Sequence, residues 1–230
     1  MLDPLDWLAI ARTMSITTTH RYIAVDGAIG TGKSTIARML ADDLGGRSVL
    51  EPLEKNPFLG EFYKDRTRNA FKTQIYYLLC RYQQQMELKQ QDLFHTITIC
   101  DYTFSKDRIF ALLNLSEDEL TLYDTIFNLL DTRLPKPDLV IYLQASMPVM
   151  RERIKMRGLA SEKNITEEYL EQITDAYNRF YFNYTATPLL VVNSNDLDIV
   201  HNNDDWLNLR TAILEHKQGT AHYHYVGGQK

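Results

Sequence analysis

The stretch Gly27-Ala28-Ile29-Gly30-Thr31-Gly32-Lys33-Ser34 fits the spacing G-x-x-x-x-G-K-[ST]. Glycines at those places let the backbone curl until successive N–H groups point at phosphate oxygens. Lys33 would reach the β and γ phosphates and Ser34 would hold Mg2+, with Thr35 counted beside them in the donor site. A helix opening there adds the positive end of its dipole. The chemistry implied is binding of a nucleoside triphosphate such as ATP, which many reactions share.

Other residues narrow the choice. The chain has no Asn-Lys-x-Asp base-reading motif of a GTPase switch, and Asp43-Leu44-Gly45-Gly46 lies too close to the loop to be a switch segment. A transporter ATPase would carry Leu-Ser-Gly-Gly-Gln, and Val226-Gly227-Gly228-Gln229 does not match it. At 230 residues, a small-molecule kinase leads. Such an enzyme needs a group to take the attacking hydroxyl's proton and cations around the transferred phosphoryl. Glu51, followed by the chain-turning Pro52, suits the general base; the bland alternative is a solvated carboxylate at a strand end. Arg153 and Arg157 stand four apart before Gly158, the pattern of a phosphate-clamping lid or of a solvated basic helix face. Gln74 and Arg81 are seven apart on one helical stripe with Tyr77 and Leu78 between them. The paired donor and acceptor of a Gln suit a nucleobase edge, unless both side chains snorkel to the surface.

These residues must be carried by an α/β frame. Apolar runs at residues 22–26, 48–50, 96–100, 139–143 and 189–192 predict five buried strands. Helical patterns alternate with them, at residues 33–44, 68–91, 148–157, 167–181 and 206–216, with further helix through residue 130 capped by Ser116 and Glu119. Strands apolar on both faces mean a parallel sheet covered by helices, with chemistry at the strands' carboxyl ends. Gly27, Glu51, Asp101 and Asn193 stand at such ends. The expected organisation is an arm over residues 1–20, one kinase domain over 21–217 and a tail over 218–230.

Composition removes several classes. With 25 Lys+Arg against 30 Asp+Glu, net charge −5, a general nucleic-acid coat is excluded. No apolar run approaches the ~20 residues needed to span a bilayer. The N-terminus lacks the pattern of a signal peptide, so no membrane partner and a cytoplasmic setting are expected. Cys80 and Cys100 cannot build a disulfide framework or a four-ligand zinc site, and both read as reduced core cysteines.

Taken together the motifs resemble the deoxyribonucleoside kinases, and within them the bacterial deoxyadenosine/deoxyguanosine branch. The resemblance is carried by residues 27–34, by Glu51-Pro52-Leu53-Glu54-Lys55-Asn56-Pro57-Phe58-Leu59 with Phe62-Tyr63, and by Gln74-Ile75-Tyr76-Tyr77-Leu78-Leu79-Cys80-Arg81-Tyr82. Asp101, Pro137-Asp138-Leu139-Val140-Ile141-Tyr142-Leu143 and residues 153–158 follow in family order. The resemblance implies a P-loop kinase fold with a five-stranded parallel sheet and a helical lid. It also implies a homodimer, and ATP-dependent transfer to the 5'-hydroxyl of a deoxynucleoside, deoxyadenosine favoured with deoxyguanosine or deoxycytidine behind. By the same likeness Glu51 is the base, Tyr63 and Glu162 bind the sugar 3'-hydroxyl, and Gln74, Arg81 and Asp107 face the nucleobase. The segment Asn193–Asp198, with Asn195 and Asp196 in it, falls where the family meets the donor's adenine, and Arg153 and Arg157 match lid arginines.

Departures remain. Where the family has Glu-Arg-Ser or Asp-Arg-Ser, this chain has Asp101-Tyr102-Thr103. Asp101 can still hold Mg2+, but Tyr102 brings no cation, so Lys106, Arg108 or the lid must supply it. The stretch after Asp107 is one residue shorter than the family's, and Leu159 stands where a third lid arginine is expected. A nucleoside monophosphate kinase or a nucleotide-binding module without transfer activity stay as alternatives.

Overall fold

The computed structural model describes residues 18–51, 56–91 and 97–225. Most of the expected arm, the turn at Pro52 and the end of the expected tail lie outside them. Six parallel strands form one sheet: β1 (Tyr22–Gly27), β2 (Arg47–Val49), β3 (Thr98–Cys100), β4 (Leu139–Gln144), β5 (Leu189–Asn193) and β6 (Thr220–Tyr223). Their order is β2-β3-β1-β4-β5-β6. The phosphate-loop strand β1 is therefore central, in register with Ile99 of β3 at Ile23 and with Leu143 of β4 at Gly27.

The helices are α1 (Lys33–Leu44), α2 (Leu59–Lys64), α3 (Arg66–Gln91), α4 (Lys106–Asn114), α5 (Glu117–Asp131), α6 (Met147–Arg157), α7 (Glu167–Phe182) and α8 (Asn203–Glu215). Ser116 and Glu119 form the expected capping box at the start of α5. On one face of the sheet Ile36 and Leu40 of α1 and Trp206, Leu209 and Ile213 of α8 cover alternate strand residues such as Ile23, Val25 and Ile141. On the other face Ala24, Val140 and Tyr142 meet Tyr169, Ile173, Tyr177 and Tyr181 of α7. A fully buried Leu or Ile in such a layer contributes on the order of 1.5–3 kcal/mol. These two layers hold the loops at the carboxyl ends of the strands.

The strand count corrects the expectation of five. β6 falls within residues 218–230, read as a tail, and pairs with β5 from Leu189↔Thr220 to Val192↔Tyr223. Its four residues alternate between exposed and half-buried, because an edge strand meets the sheet on one side only. Such a strand leaves no continuous apolar run to find.

Candidate active site

The phosphate loop leaves β1 at Gly27 and enters α1 at Lys33. Gly30 adopts φ +83°, and a Cβ there would lie 2.6 Å from the Met150 carbonyl oxygen of α6. The loop is thus pressed against the lid helix, and only glycine fits. Lys33 Nζ donates to the Ala28 carbonyl at 2.8 Å, spanning the loop. Burial, with the charge of Lys106 beside it, lowers its ammonium to about 8.

Asp26, which the sequence reading passed over, anchors the loop. It is the acidic residue of β1 and is fully buried. It accepts from the Gly27 amide (2.8 Å), Thr103 Oγ1 (2.5 Å), Tyr181 OH (2.6 Å) and Tyr177 OH (3.2 Å). One carboxylate therefore ties the loop's first residue to the turn after β3 and to α7. A lone acid inside an apolar strand was the available signal.

Ser34 Oγ donates to Asp101 Oδ2 at 2.5 Å, and the Glu51 amide donates to Asp101 Oδ1 at 2.7 Å. A hydroxyl and a carboxylate beside a phosphate loop are the hard oxygen donors that suit Mg2+. Gly27, Ala28, Ile29, Gly30, Thr31 and Gly32 supply the curl. Gly30, Thr31, Gly32, Lys33, Ser34 and Thr35 line a groove with Arg153, Arg157, Ser194 and residues 197–201. Arg153 reaches over the loop, donating from Nη1 to the Thr31 carbonyl (3.1 Å) and Ser194 Oγ (2.9 Å) and from Nη2 to the Ser194 carbonyl (2.8 Å). Asn195 lies elsewhere: its Oδ1 accepts from the Ser146 amide at 2.6 Å, at the start of α6. Asp196 is exposed and does not line the groove. Of the expected segment 193–198, Ser194, Leu197 and Asp198 do line the groove, and Ile199, Val200 and His201 continue its wall.

A second cavity opens from the loop on the far side of Glu51, between α2, α3, α4 and α7. Phe62, Tyr63, Tyr77, Phe110 and Tyr169 give it aromatic walls, and Gln74, Arg81 and Glu162 add polar atoms. Burial raises the Tyr63 phenol well above its ordinary range, so it stays a neutral donor. Glu162, on a short 3-10 turn after the lid helix, is ion-paired with Arg157, Nε to Oε2 being 3.1 Å. The lid thus brings Arg157 and Glu162 to the same corner as Tyr63.

Glu51 sits where the two cavities meet, and both line their walls with it. Its Oε1 accepts from Arg81 Nε at 2.9 Å and from Arg81 Nη2, and its Oε2 accepts from Lys106 Nζ at 2.5 Å. Burial opposes its charge, but Arg81 and Lys106 outweigh burial and hold the carboxyl well below the usual carboxylate range. Lys106, on the first turn of α4, is therefore the cation that enters this site. Arg108 points away and pairs with Asp124 at 2.9 Å. Tyr102 is fully buried, donating to Gln84 Oε1 at 2.9 Å, and leaves the site's charge to others.

Asp107 departs from its expected place. It is fully buried and absent from the cavity wall. Its Oδ1 accepts from Gln74 Nε2 (2.5 Å) and Tyr123 OH (2.6 Å), and its Oδ2 from Arg81 Nη1. Asp107 therefore backs Gln74 and Arg81 rather than facing the cavity. It also fixes the Gln74 amide: the nitrogen is held on a carboxylate, so the carbonyl oxygen is the atom left for the cavity.

The family model for deoxynucleoside kinase matches residues 23–216. The deoxyguanosine kinase of Bacillus subtilis is 35% identical over 202 residues, 86% of this chain and 98% of that protein. The deoxyadenosine kinase of Lactobacillus acidophilus is 30% identical over 209 residues, 85% of this chain and 94% of that protein. A solved structure of deoxyadenosine kinase from M. mycoides, with products dCMP and dCDP bound, superposes with a TM-score of 0.72 at 33% identity. It covers 84% of this chain and 100% of its own.

Proposed function

This chain belongs to the deoxynucleoside kinase family, and from that premise we infer that it transfers the γ-phosphoryl of ATP to the 5'-hydroxyl of a deoxynucleoside, deoxyadenosine above all. The observation that carries the reading is the position of Glu51, buried at the junction of a phosphate-loop groove and an aromatic cavity backed by Gln74 and Arg81. In this reading the sugar 3'-hydroxyl meets Tyr63 and Glu162, which leaves the 5'-hydroxyl beside Glu51. Glu51 takes the hydroxyl proton as the oxygen attacks phosphorus. The loop amides and Lys33 hold the donor's phosphates, and Arg153 and Arg157 close over them and exclude water. Ser34 and Asp101 would hold Mg2+, which neutralises phosphate charge when bound. A nucleoside monophosphate acceptor fits poorly, because Arg81 is locked between Glu51 and Asp107, Arg157 is paired with Glu162, and the inner wall is largely aromatic. Coupled ATP consumption with a panel of nucleosides and nucleotides tests the assignment; a nucleotide as best acceptor, or no consumption at all, refutes it.

Base preference follows from the Gln74 amide. An acceptor facing the base matches the exocyclic amino group of adenine or cytosine, whereas thymine presents a carbonyl there. A buried polar site left unpaired in this way discriminates by orders of magnitude. Deoxyadenosine should therefore exceed thymidine in kcat/KM by about 100-fold or more. Asp107→Asn, which frees the amide to turn over, should narrow that gap. Thymidine as the best wild-type acceptor contradicts the pocket assignment. The lean from cytosine toward adenine rests on the relative from Lactobacillus acidophilus, whose printed name is deoxyadenosine kinase.

We also infer a homodimer built on α3 and α5. Leu79 of α3 and Leu122 and Leu129 of α5 are more than half exposed, and Leu122 and Leu129 share one helix face. Exposed leucines on adjoining helices favour a second copy as cover. Leu122→Glu with Leu129→Glu should halve the mass measured by light scattering; an unchanged mass rules this face out.

A further inference from the structure

Both oxygens of the Glu51 carboxylate are engaged by cations, Oε1 by two donors of Arg81 and Oε2 by Lys106 Nζ, which weakens its hold on the acceptor's proton. The two cations are held very differently. Arg81 is fixed by Glu51, by Asp107 and by the Tyr77 ring 4.9 Å from its guanidinium carbon. Among the described residues Lys106 makes one ion pair, to Glu51 Oε2, and otherwise has the Phe110 ring 5.8 Å away. Its four-carbon stem lets the ammonium swing where a guanidinium locked on three sides stays put. Lys106 and Lys33 line the same cavity, as do Ser34 and Asp101. A phosphoryl group arriving there meets Lys106 as a cation that can leave its partner, which Arg81 cannot do.

We propose that Lys106 is a catalytic residue that exchanges partners during each turnover, moving from Glu51 Oε2 to a non-bridging oxygen of the transferring phosphoryl group. The move frees Oε2 for the 5'-hydroxyl at the moment both substrates are present. The proton passes from that hydroxyl to Glu51, the new O–P bond forms, and the bond to the β-phosphate oxygen breaks with its electron pair leaving on the diphosphate. As the products leave, Glu51 gives the proton up to solvent, and Lys106, protonated throughout, returns to the carboxylate. In the empty enzyme the same contact keeps the base covered. This rests on Glu51 being the base, as inferred above.

Single-turnover kinetics with ATP, Mg2+ and deoxyadenosine test it on Lys106→Met, Lys106→Arg, Glu51→Gln and the double variant Glu51→Gln/Lys106→Met, with nucleoside affinity measured separately by calorimetry. Lys106→Met should slow the step about 100-fold or more while leaving deoxyadenosine affinity unchanged. Lys106→Arg should recover part of the rate, and it carries the test if the Met variant does not fold. The double variant should fall a further tenfold or so below Glu51→Gln, because Lys106 acts on the phosphoryl as well as on Glu51. If Lys106→Met adds nothing to Glu51→Gln, Lys106 only positions Glu51 and the exchange is overturned. A fast Lys106→Met beside a slow Glu51→Gln overturns the exchange and leaves the base in place. A fast Glu51→Gln removes the base, and the exchange with it.

Discussion

Lys33→Ala is expected to abolish phosphoryl transfer while leaving the protein folded. The ammonium is the cation that a phosphate loop aims at the β and γ phosphates, where charge develops during transfer. Loss of one such preorganised contact costs about 10²–10³-fold, and of a full charge at least the upper end. The fold does not depend on it: Nζ donates to a loop carbonyl, and the side chain belongs to neither sheet-face core. Alanine is also the best helix former for the first residue of α1. Single-turnover assays beside a thermal melt check both halves. Activity within tenfold of wild type would remove the loop's assignment as the donor site.

Glu51→Gln should lower turnover by about 10²–10⁴-fold, the usual contribution of a general base, with nucleoside affinity much less affected. The amide keeps the shape of the carboxylate but does not accept the proton. It also leaves Arg81 and Lys106 facing a neutral group in a buried site, so the variant should melt lower than wild type. The two effects separate cleanly, since the melt reports the lost ion pairs of Lys106 and Arg81 with Glu51 and pre-steady-state chemistry reports the proton. A wild-type rate in a single turnover rules Glu51 out.

The residues easiest to read in the sequence are those whose role is local. The loop from Gly27 to Ser34 is contiguous, and strands β1, β4 and β5 show as apolar runs because helices cover both their faces. Gln74 and Arg81 share a stripe of one helix, so their meeting at one wall could be read from spacing. Asp107 could not be placed that way. Whether it faces the cavity or backs Gln74 depends on how α4 packs against α3 and α5, a matter of tertiary contact with Tyr123. Lys106 against Arg108 was equally open in one dimension: both follow Asp101 closely, and only the direction of the first turn of α4 separates them. Asn195 could not be placed either, because the loop after β5 touches the groove at Ser194, turns Asn195 aside to the Ser146 amide, and rejoins the groove at Leu197. Asp26 was hidden by its own surroundings, since its three hydroxyl partners come from residues 103, 177 and 181.

The edge strand β6 bears on how the protein behaves in a test tube. Residues Leu189, Leu190, Val191 and Val192 of β5 are buried, and among the described residues their outer hydrogen-bonding edge is closed by the strand 220–223. A chain cut after His216 would keep every residue of the phosphate and acceptor sites. It would also bare an apolar strand edge, the kind of surface that recruits other chains into non-native pairing. Shortening this protein by that stretch therefore threatens solubility on expression before it threatens chemistry.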